Sequence, residues 1–245
     1  MGRRAITMVV GLGLTGTVSF VGVVLGGTPP VGLAATASHV RTVNPADFVR
    51  HVTNRYFPLK PGTLLVYRGA EEGQSQLDRV FVTHKTKTIL GVRTTVVHDV
   101  VRHKGRVLER TFDWYAQDKQ GNVWYFGENT RSFENGHVSR EGSWKAGRDG
   151  AQAGIIMKAH PRVPVAYRQE YYKGHAEDQA WVVRRGGKVH VRYRTFRHKL
   201  VTFEWSRLEP RIVAKKVYAP GVGIALERSM SGPSETSQLV RVRRP

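Results

Sequence analysis

The stretch DWYAQDKQGNVWYFGE, residues 113–128, brings carboxylates and aromatic side chains together in a chain that is otherwise strongly basic. Two carboxylates that converge in a cleft can act as acid and base in hydrolysis, and tyrosine hydroxyls beside them can orient a polar ligand. A further carboxylate, Glu170, follows in the segment YRQEYY, on the same predicted strand as Arg168. The sequence therefore offers six candidate ligand-binding side chains, namely Asp113, Tyr115, Tyr125, Glu128, Arg168 and Glu170.

A tight turn at residues 118–121 predicts that the first of these segments forms a hairpin. In the expected register Phe112 lies opposite Glu128, which puts the Glu128 carboxylate at the end of an apolar face. A buried carboxylate must be paired or take up a raised pKa. Because alternate side chains of a strand point to opposite faces, Asp113 and Glu128 are expected to project apart. That arrangement argues against these two residues as an acid and base pair.

A third candidate is the alternating segment VHVRYRTF, in which His190, Arg192 and Arg194 share one face of a predicted strand. These side chains would form a cationic stripe that can contact a polyanion. Aromatic residues that could stack on bases lie on the other face, so specific binding of nucleic acid is not expected.

The amino-acid composition further limits which partners and which kinds of site are expected. The chain has 39 Lys and Arg against 19 Asp and Glu, a net charge of +20, which favours anionic partners such as a lipid or an anionic polymer of the cell envelope. It contains no cysteine, which excludes disulfides, thiolate metal sites and cysteine catalysis. The spacing of His175, Glu177 and Asp178 matches no standard metal site. We therefore expect neither a metal nor a cofactor.

The N-terminal residues 1–37 read as a secretory signal peptide, with Arg3 and Arg4 before an apolar stretch and the small residues Ala35-Thr36-Ala37 at its end. Retention of the apolar stretch as a membrane anchor is the alternative, and the arginine pair leaves Sec and twin-arginine export both open. The protein is thus expected to be secreted or periplasmic, at the cell envelope.

Residues 38–245 have the length of one domain. Asn44 and Pro45 form a helix-start signal. Beyond residue 62 the chain alternates short β-rich runs with turn signals, and hairpin turns such as that at residues 185–188 join neighbouring runs. The predicted fold is all-β and mainly antiparallel with one short N-terminal helix, a meander that curls into a half-barrel or barrel. We expect a monomer.

Three segments, DWYAQDKQGNVWYFGE, GHAEDQAWV and KVYAPGVGIALE, resemble an uncharacterised family of exported bacterial β-rich proteins. The last of them is similar to the closing hairpin of lipoprotein-type half-barrel domains. The resemblance implies export and a β-rich fold but no activity or catalytic residues, and the chain departs from the lipoprotein pattern in lacking an anchoring cysteine.

Three functional hypotheses follow. The preferred one is an exported, non-catalytic binding protein of the cell envelope with an amphipathic or anionic ligand. The second is a carboxylate-dependent hydrolase that uses Glu128 with Asp113 or Glu170. The third is a structural protein of the cell surface with no small-molecule site.

Overall fold

The computed structural model of the protein describes residues 43–134 and 136–245. The predicted signal peptide, residues 1–37, lies outside them. Within the described part of the chain no helix has the length and apolar character needed to cross a membrane.

The described residues fold as antiparallel strands. Their bounds are β1 Phe48–Val49, β2 Leu64–Glu71, β3 Gln74–Ile89, β4 Val92–His103, β5 Arg106–Asp118, β6 Val123–Glu134, β7 His137–Ser139, β8 Trp144–Lys145, β9 Gln152–Met157, β10 Val165–Arg168, β11 Glu170–Tyr171, β12 Asp178–Arg185, β13 Lys188–His190, β14 Thr195–Arg197, β15 Leu200–Ser206, β16 Val213–Ala219, β17 Gly223–Ser231 and β18 Glu235–Arg243.

The main sheet is a nearly closed barrel made of two meanders. One runs from β2 through β6 to β9, the other from β15 to β18, and β18 pairs with β2 to join them. The path ends at β10, beside β12, and at β11, beside β9. Gln169 links these two end strands along the chain, and its N–H donates to the Asp178 carbonyl of β12 at 2.8 Å. The predicted all-β, mainly antiparallel fold is therefore confirmed, and of the half-barrel and barrel expected the sheet forms a nearly closed barrel.

The predicted N-terminal helix is wrong. Asn44 does cap, since its side chain accepts a hydrogen bond from the Ala46 N–H, but only a 3-10 turn over Pro45–Asp47 follows. The turn ends because Phe48 and Val49 form β1 and pair with Asp118 and Gln117 of β5. Pairing with an existing sheet edge satisfies the backbone that a helix would otherwise have to satisfy itself.

Two β-rich stretches of the sequence, residues 87–101 and 188–205, are longer than a typical strand, and both turn internally. The run at 87–101 is divided at Leu90 and Gly91, between β3 and β4. The run at 188–205 becomes a small hairpin, β13 with β14, followed by β15. The segment YRQEYY, predicted to lie on one strand, is also divided: Arg168 ends β10 and pairs with Gln179, whereas Glu170 opens β11 and pairs with Ala153. Arg168 and Glu170 therefore do not share a strand.

The predicted hairpin register holds only near its turn. Tyr115 pairs with Tyr125 and Ala116 with Trp124, as expected, but Asp113 then pairs with Glu128. The extra residue is in β6, where Gly127 adopts a φ of +119°. A Cβ on Gly127 would lie 2.3 Å from the Trp144 carbonyl oxygen, so this bulge requires glycine. The expectation that Asp113 and Glu128 face apart is therefore wrong.

Candidate functional site

The barrel interior contains most of the predicted site residues. Inward positions of successive strands carry buried acidic side chains: Asp78, Asp99, Glu109, Asp113, Glu128, Glu170, Asp178, Glu204, Glu227 and Glu235. Lys216 is the one buried Lys or Arg of the described residues. We call this set, with Lys216, the interior carboxylate cluster. Acidic side chains therefore outnumber basic ones inside the barrel, and the excess of Lys and Arg lies on its outer surface.

Asp113 and Glu128 lie at the centre of this cluster. Tyr125 donates its hydroxyl to Asp113 Oδ1 at 2.8 Å, and Thr130 donates to Glu128 Oε2 at 2.8 Å. Tyr115 stacks on Tyr125 with 4.8 Å between ring centroids. Burial raises the pKa of Asp113 to about 7. Burial and the neighbouring Asp113 raise the pKa of Glu128 well above its usual range.

Asp78 and Asp99 form a second pair, on β3 and β4. Burial raises the pKa of Asp78 to about 6, while the interaction with Asp99 opposes the rise. Burial and Asp78 together raise the pKa of Asp99 well above its usual range. Two buried carboxyl groups this close cannot both carry a charge at low cost, so the raised pKa values favour a proton on at least one of them.

Lys216 neutralises the far side of the cluster. Its Nζ lies 3.1 Å from Glu204 Oε2 and 3.8 Å from Glu227 Oε1. Tyr218 and Thr202 both donate hydroxyls to Glu204 Oε1, at 2.8 and 2.7 Å. Burial alone would lower the pKa of Lys216, but the two glutamates outweigh it and raise that pKa.

Glu170 and Arg168, predicted to act together, have separate environments. Glu170 is fully buried, and burial followed by the nearby Asp178 raises its pKa well above the usual range. Arg168 lies over the Tyr171 ring, 4.4 Å from its centroid, and donates to Gln152 Oε1 at 3.3 Å.

The interior carboxylate cluster is shielded from solvent. Asp113 is 1% exposed and Glu128 is 5% exposed, so a substrate cannot reach the pair in this structure. A free anion would also meet carboxylates on every side of it. Within residues 43–134 and 136–245 no group of three His, Asp or Glu is arranged to hold a metal ion.

A different site lies on the outer surface of the barrel. Two adjoining depressions of about 530 and 520 Å³ cross β18, β2, β3 and β4, and share Arg68, Leu77 and Arg192. We call them together the basic groove. Seven cationic side chains line it: Arg68, Arg79, Arg102, Lys104, Arg192, Arg241 and Arg243. Among the described residues, neither depression is lined by an Asp or Glu. None of the seven cations forms an ion pair with another described residue.

Strand register explains how the groove gathers these cations. Val66 pairs with Arg79 on one side and with Arg241 on the other. Arg68 pairs with Leu77, which in turn pairs with Arg102. Because paired residues of adjacent strands point to the same face, arginines from four strands meet on the outside of the barrel.

Arg192 enters the groove from the loop between β13 and β14. The Arg192 N–H donates to Gln238 Oε1 at 3.1 Å, and the Tyr193 N–H donates to the Leu239 carbonyl at 3.1 Å. These bonds hold the loop against β18, where the pairing with β2 shifts by one residue between Leu239 and Arg241.

The predicted stripe of His190, Arg192 and Arg194 is thus only partly assembled at the groove. Arg192 lines it, whereas Arg194 lies over the Phe196 ring at 4.6 Å and His190 Nδ1 is 2.8 Å from Thr195 Oγ1. The other six cations of the groove were missed by the sequence-based interpretation. Isolated arginines at alternate strand positions were the only local signal for them.

Comparison with known proteins yields two solved structures of similar shape. A protein described as exported, with a YMCC-like fold, from Bacteroides fragilis has 14% identity and a TM-score of 0.45, and the match covers 78% of this chain and 100% of that one. A protein described as a lipoprotein, from Parabacteroides distasonis, has 12% identity and a TM-score of 0.41, covering 78% of this chain and 99% of that one. No protein family and no curated protein matches the sequence.

Proposed function

We propose that this is an exported, non-catalytic binding protein that holds an anionic partner of the cell envelope in the basic groove. The observation that carries the proposal is the set of seven cations with no acidic residue among them. Guanidinium groups bind phosphate and carboxylate through paired, charge-assisted hydrogen bonds, and six of the seven cations are arginines.

The distribution of charge supports the same proposal. Side chains of the interior carboxylate cluster are removed from the surface, so an approaching partner meets a more positive protein than the net charge of +20 suggests. The predicted signal peptide would deliver that surface to the envelope, where anionic polymers and lipid headgroups are available.

The hydrolase hypothesis gains less support. Asp113 and Glu128 do lie on one face, but both are buried, and the groove has no carboxylate to serve as acid or base. A general acid or base must come within hydrogen-bond reach of the substrate. A purely structural role would leave the cation-lined groove without a purpose.

Binding of inorganic polyphosphate, measured across a range of salt concentrations, tests the proposal. The variant Arg68→Gln/Arg79→Gln/Arg241→Gln removes three groove cations, and Arg131→Gln/Arg140→Gln/Arg185→Gln removes three exposed cations elsewhere. We expect the groove variant to lose at least about tenfold in affinity and to show a shallower salt dependence, because fewer counterions are released on binding. The control should lose much less. Equal losses in the two variants would mean that affinity reflects net charge alone.

A further inference from the structure

The floor of the basic groove is aliphatic. Leu64, Val66, Leu77 and Val240 lie half-buried between the arginines on the outer face of the barrel. A sheet face that meets only solvent usually carries polar residues at these positions. Half-buried aliphatic side chains beside unpaired cations therefore indicate a ligand with both an apolar and an anionic part.

We infer that the occupant of the groove is an anionic amphiphile, a lipid whose phosphate lies among the arginines and whose hydrocarbon lies on the aliphatic floor. This inference rests on the proposed function and narrows its partner. A linear polyanion would use only the cations, whereas an anionic lipid uses both components of the lining.

Size is consistent with this occupant. Each depression, of about 530 or 520 Å³, falls within the range of roughly 300–1,000 Å³ that is usual for small-molecule sites. The apolar cavity inside the barrel, beside Phe57, Leu65 and Val222, measures only about 40 Å³. A lipid chain fits the outer groove and not that cavity.

The loop at the groove edge has the composition of a membrane-interface contact. Tyr193 is exposed beside Arg192, and both are held by backbone hydrogen bonds to β18 and its Gln238 side chain. Tyrosine places an apolar ring and a polar hydroxyl at a boundary between hydrocarbon and water. Basic residues at such a surface are attracted to anionic headgroups.

Calorimetry on the full chain tests the inference with three soluble probes. Dihexanoylphosphatidylglycerol, used as monomers, supplies phosphate and hydrocarbon; glycerol 3-phosphate supplies phosphate alone; dihexanoylphosphatidylcholine supplies hydrocarbon with a zwitterionic head. We expect the first to bind at least about tenfold more tightly than either of the others, because only it engages both parts of the lining.

Substitutions in the floor separate the two components. Val66→Thr keeps the β-branched shape but adds a hydroxyl, and Val138→Thr makes the same change at an exposed position on β7. Val66→Thr should weaken phosphatidylglycerol binding several-fold more than it weakens polyphosphate binding, and Val138→Thr should alter neither. Leu77→Gln is the second floor variant, and circular dichroism and the unfolding temperature confirm that each variant is folded.

The outcomes distinguish this inference from the function on which it rests. If glycerol 3-phosphate and phosphatidylglycerol bind equally, or if the floor variants have no effect, the partner is a soluble polyanion and only the lipid inference falls. Equal binding of phosphatidylcholine also overturns it, since the cations would then play no part. If polyphosphate and phosphatidylglycerol both fail to bind, the proposed function falls with it.

Discussion

Asp113 and Glu128 lie directly opposite each other on β5 and β6, and both point into the barrel. Each has a hydroxyl donor of its own, Tyr125 for Asp113 and Thr130 for Glu128. Two facing carboxylates in a buried site cannot both carry a charge at low cost. The pair therefore titrates as a unit. Its bound protons stabilise a part of the core where apolar side chains are usual.

Replacement of Asp113 by asparagine should stabilise the protein at alkaline pH. The pKa of about 7 means that the aspartate is charged there at a cost, whereas an amide is neutral and can still accept the Tyr125 hydroxyl. We expect Asp113→Asn to raise the free energy of unfolding by on the order of 2–4 kcal/mol near pH 9 and by little near pH 4. Urea unfolding at the two pH values measures the difference, with the exposed Glu141→Gln as control. The same gain at both pH values would contradict a protonation effect.

Stability of the wild-type protein should fall as the pH rises above about 4. Burial raises the pKa of Asp78 to about 6, of Glu109 and Glu227 to about 7 and of Glu235 to about 9. The unfolded chain releases these protons near pH 4, so between that pH and each folded pKa the native state binds more protons than the unfolded one. The stability that these protons contribute is complete below pH 4 and is lost through pH 9.

Urea unfolding between about pH 4 and pH 9 checks this dependence. Moderate salt should be present throughout, because it screens repulsion among the exposed cations, which acts in the opposite direction at low pH. A stability maximum at or above pH 8 would contradict the raised pKa values.

Removal of the buried cation should be strongly destabilising. Lys216→Met leaves Glu204 and Glu227 without the charge that faces them, and the expected loss is about 3–5 kcal/mol in the free energy of unfolding. Lys215→Met, at the neighbouring and more exposed position, is the matched control. Adding Glu204→Gln and Glu227→Gln to Lys216→Met should restore part of the loss. If the triple variant is no more stable than Lys216→Met, the unpaired carboxylates of Glu204 and Glu227 are not the cause of the loss.

The bulge in β6 should not tolerate a side chain. Gly127→Ala would place its Cβ 2.3 Å from the Trp144 carbonyl oxygen in a backbone conformation that L residues rarely adopt. We expect a loss of about 3 kcal/mol or more. Gly105→Ala is a suitable comparison, since Gly105 also has a positive φ but open space around its Cβ, and should lose only about 1 kcal/mol. Thermal unfolding measures both, and equal losses would show that the bulge adds no steric demand.

Local patterns predicted the strands and turns well because alternation and turn chemistry act over a few residues. Tyr115 opposite Tyr125 follows directly from the turn at residues 118–121. The predicted register of this hairpin fails beyond Gly127, because nothing in the residue pattern indicates the extra residue in β6. That single residue moved Glu128 from the face opposite Asp113 to the same face.

The basic groove could not be predicted from local patterns. The groove crosses the junction between β18 and β2. Arg241 lies beside Val66 and Arg79 only because β18 pairs with β2 there. Alternation assigns each arginine to a face of its own strand, but only the strand order brings those faces together. Of the acidic interior only Asp113, Glu128 and Glu170 were identified as candidates, because its other members are scattered over many strands.

Closure of the barrel by β18 also has a kinetic consequence. The Ser234 N–H donates to the side chain of Glu72, 162 residues away in sequence, at the start of the β18 and β2 pairing. Contacts between such distant segments form late and slowly during folding. Until β18 docks, Glu227 and Glu235 are hydrated and ionised near neutral pH, so the last step of folding takes up protons from the solvent. Refolding of this protein should therefore be slower in alkaline buffer than in acidic buffer, in the phase that completes the barrel.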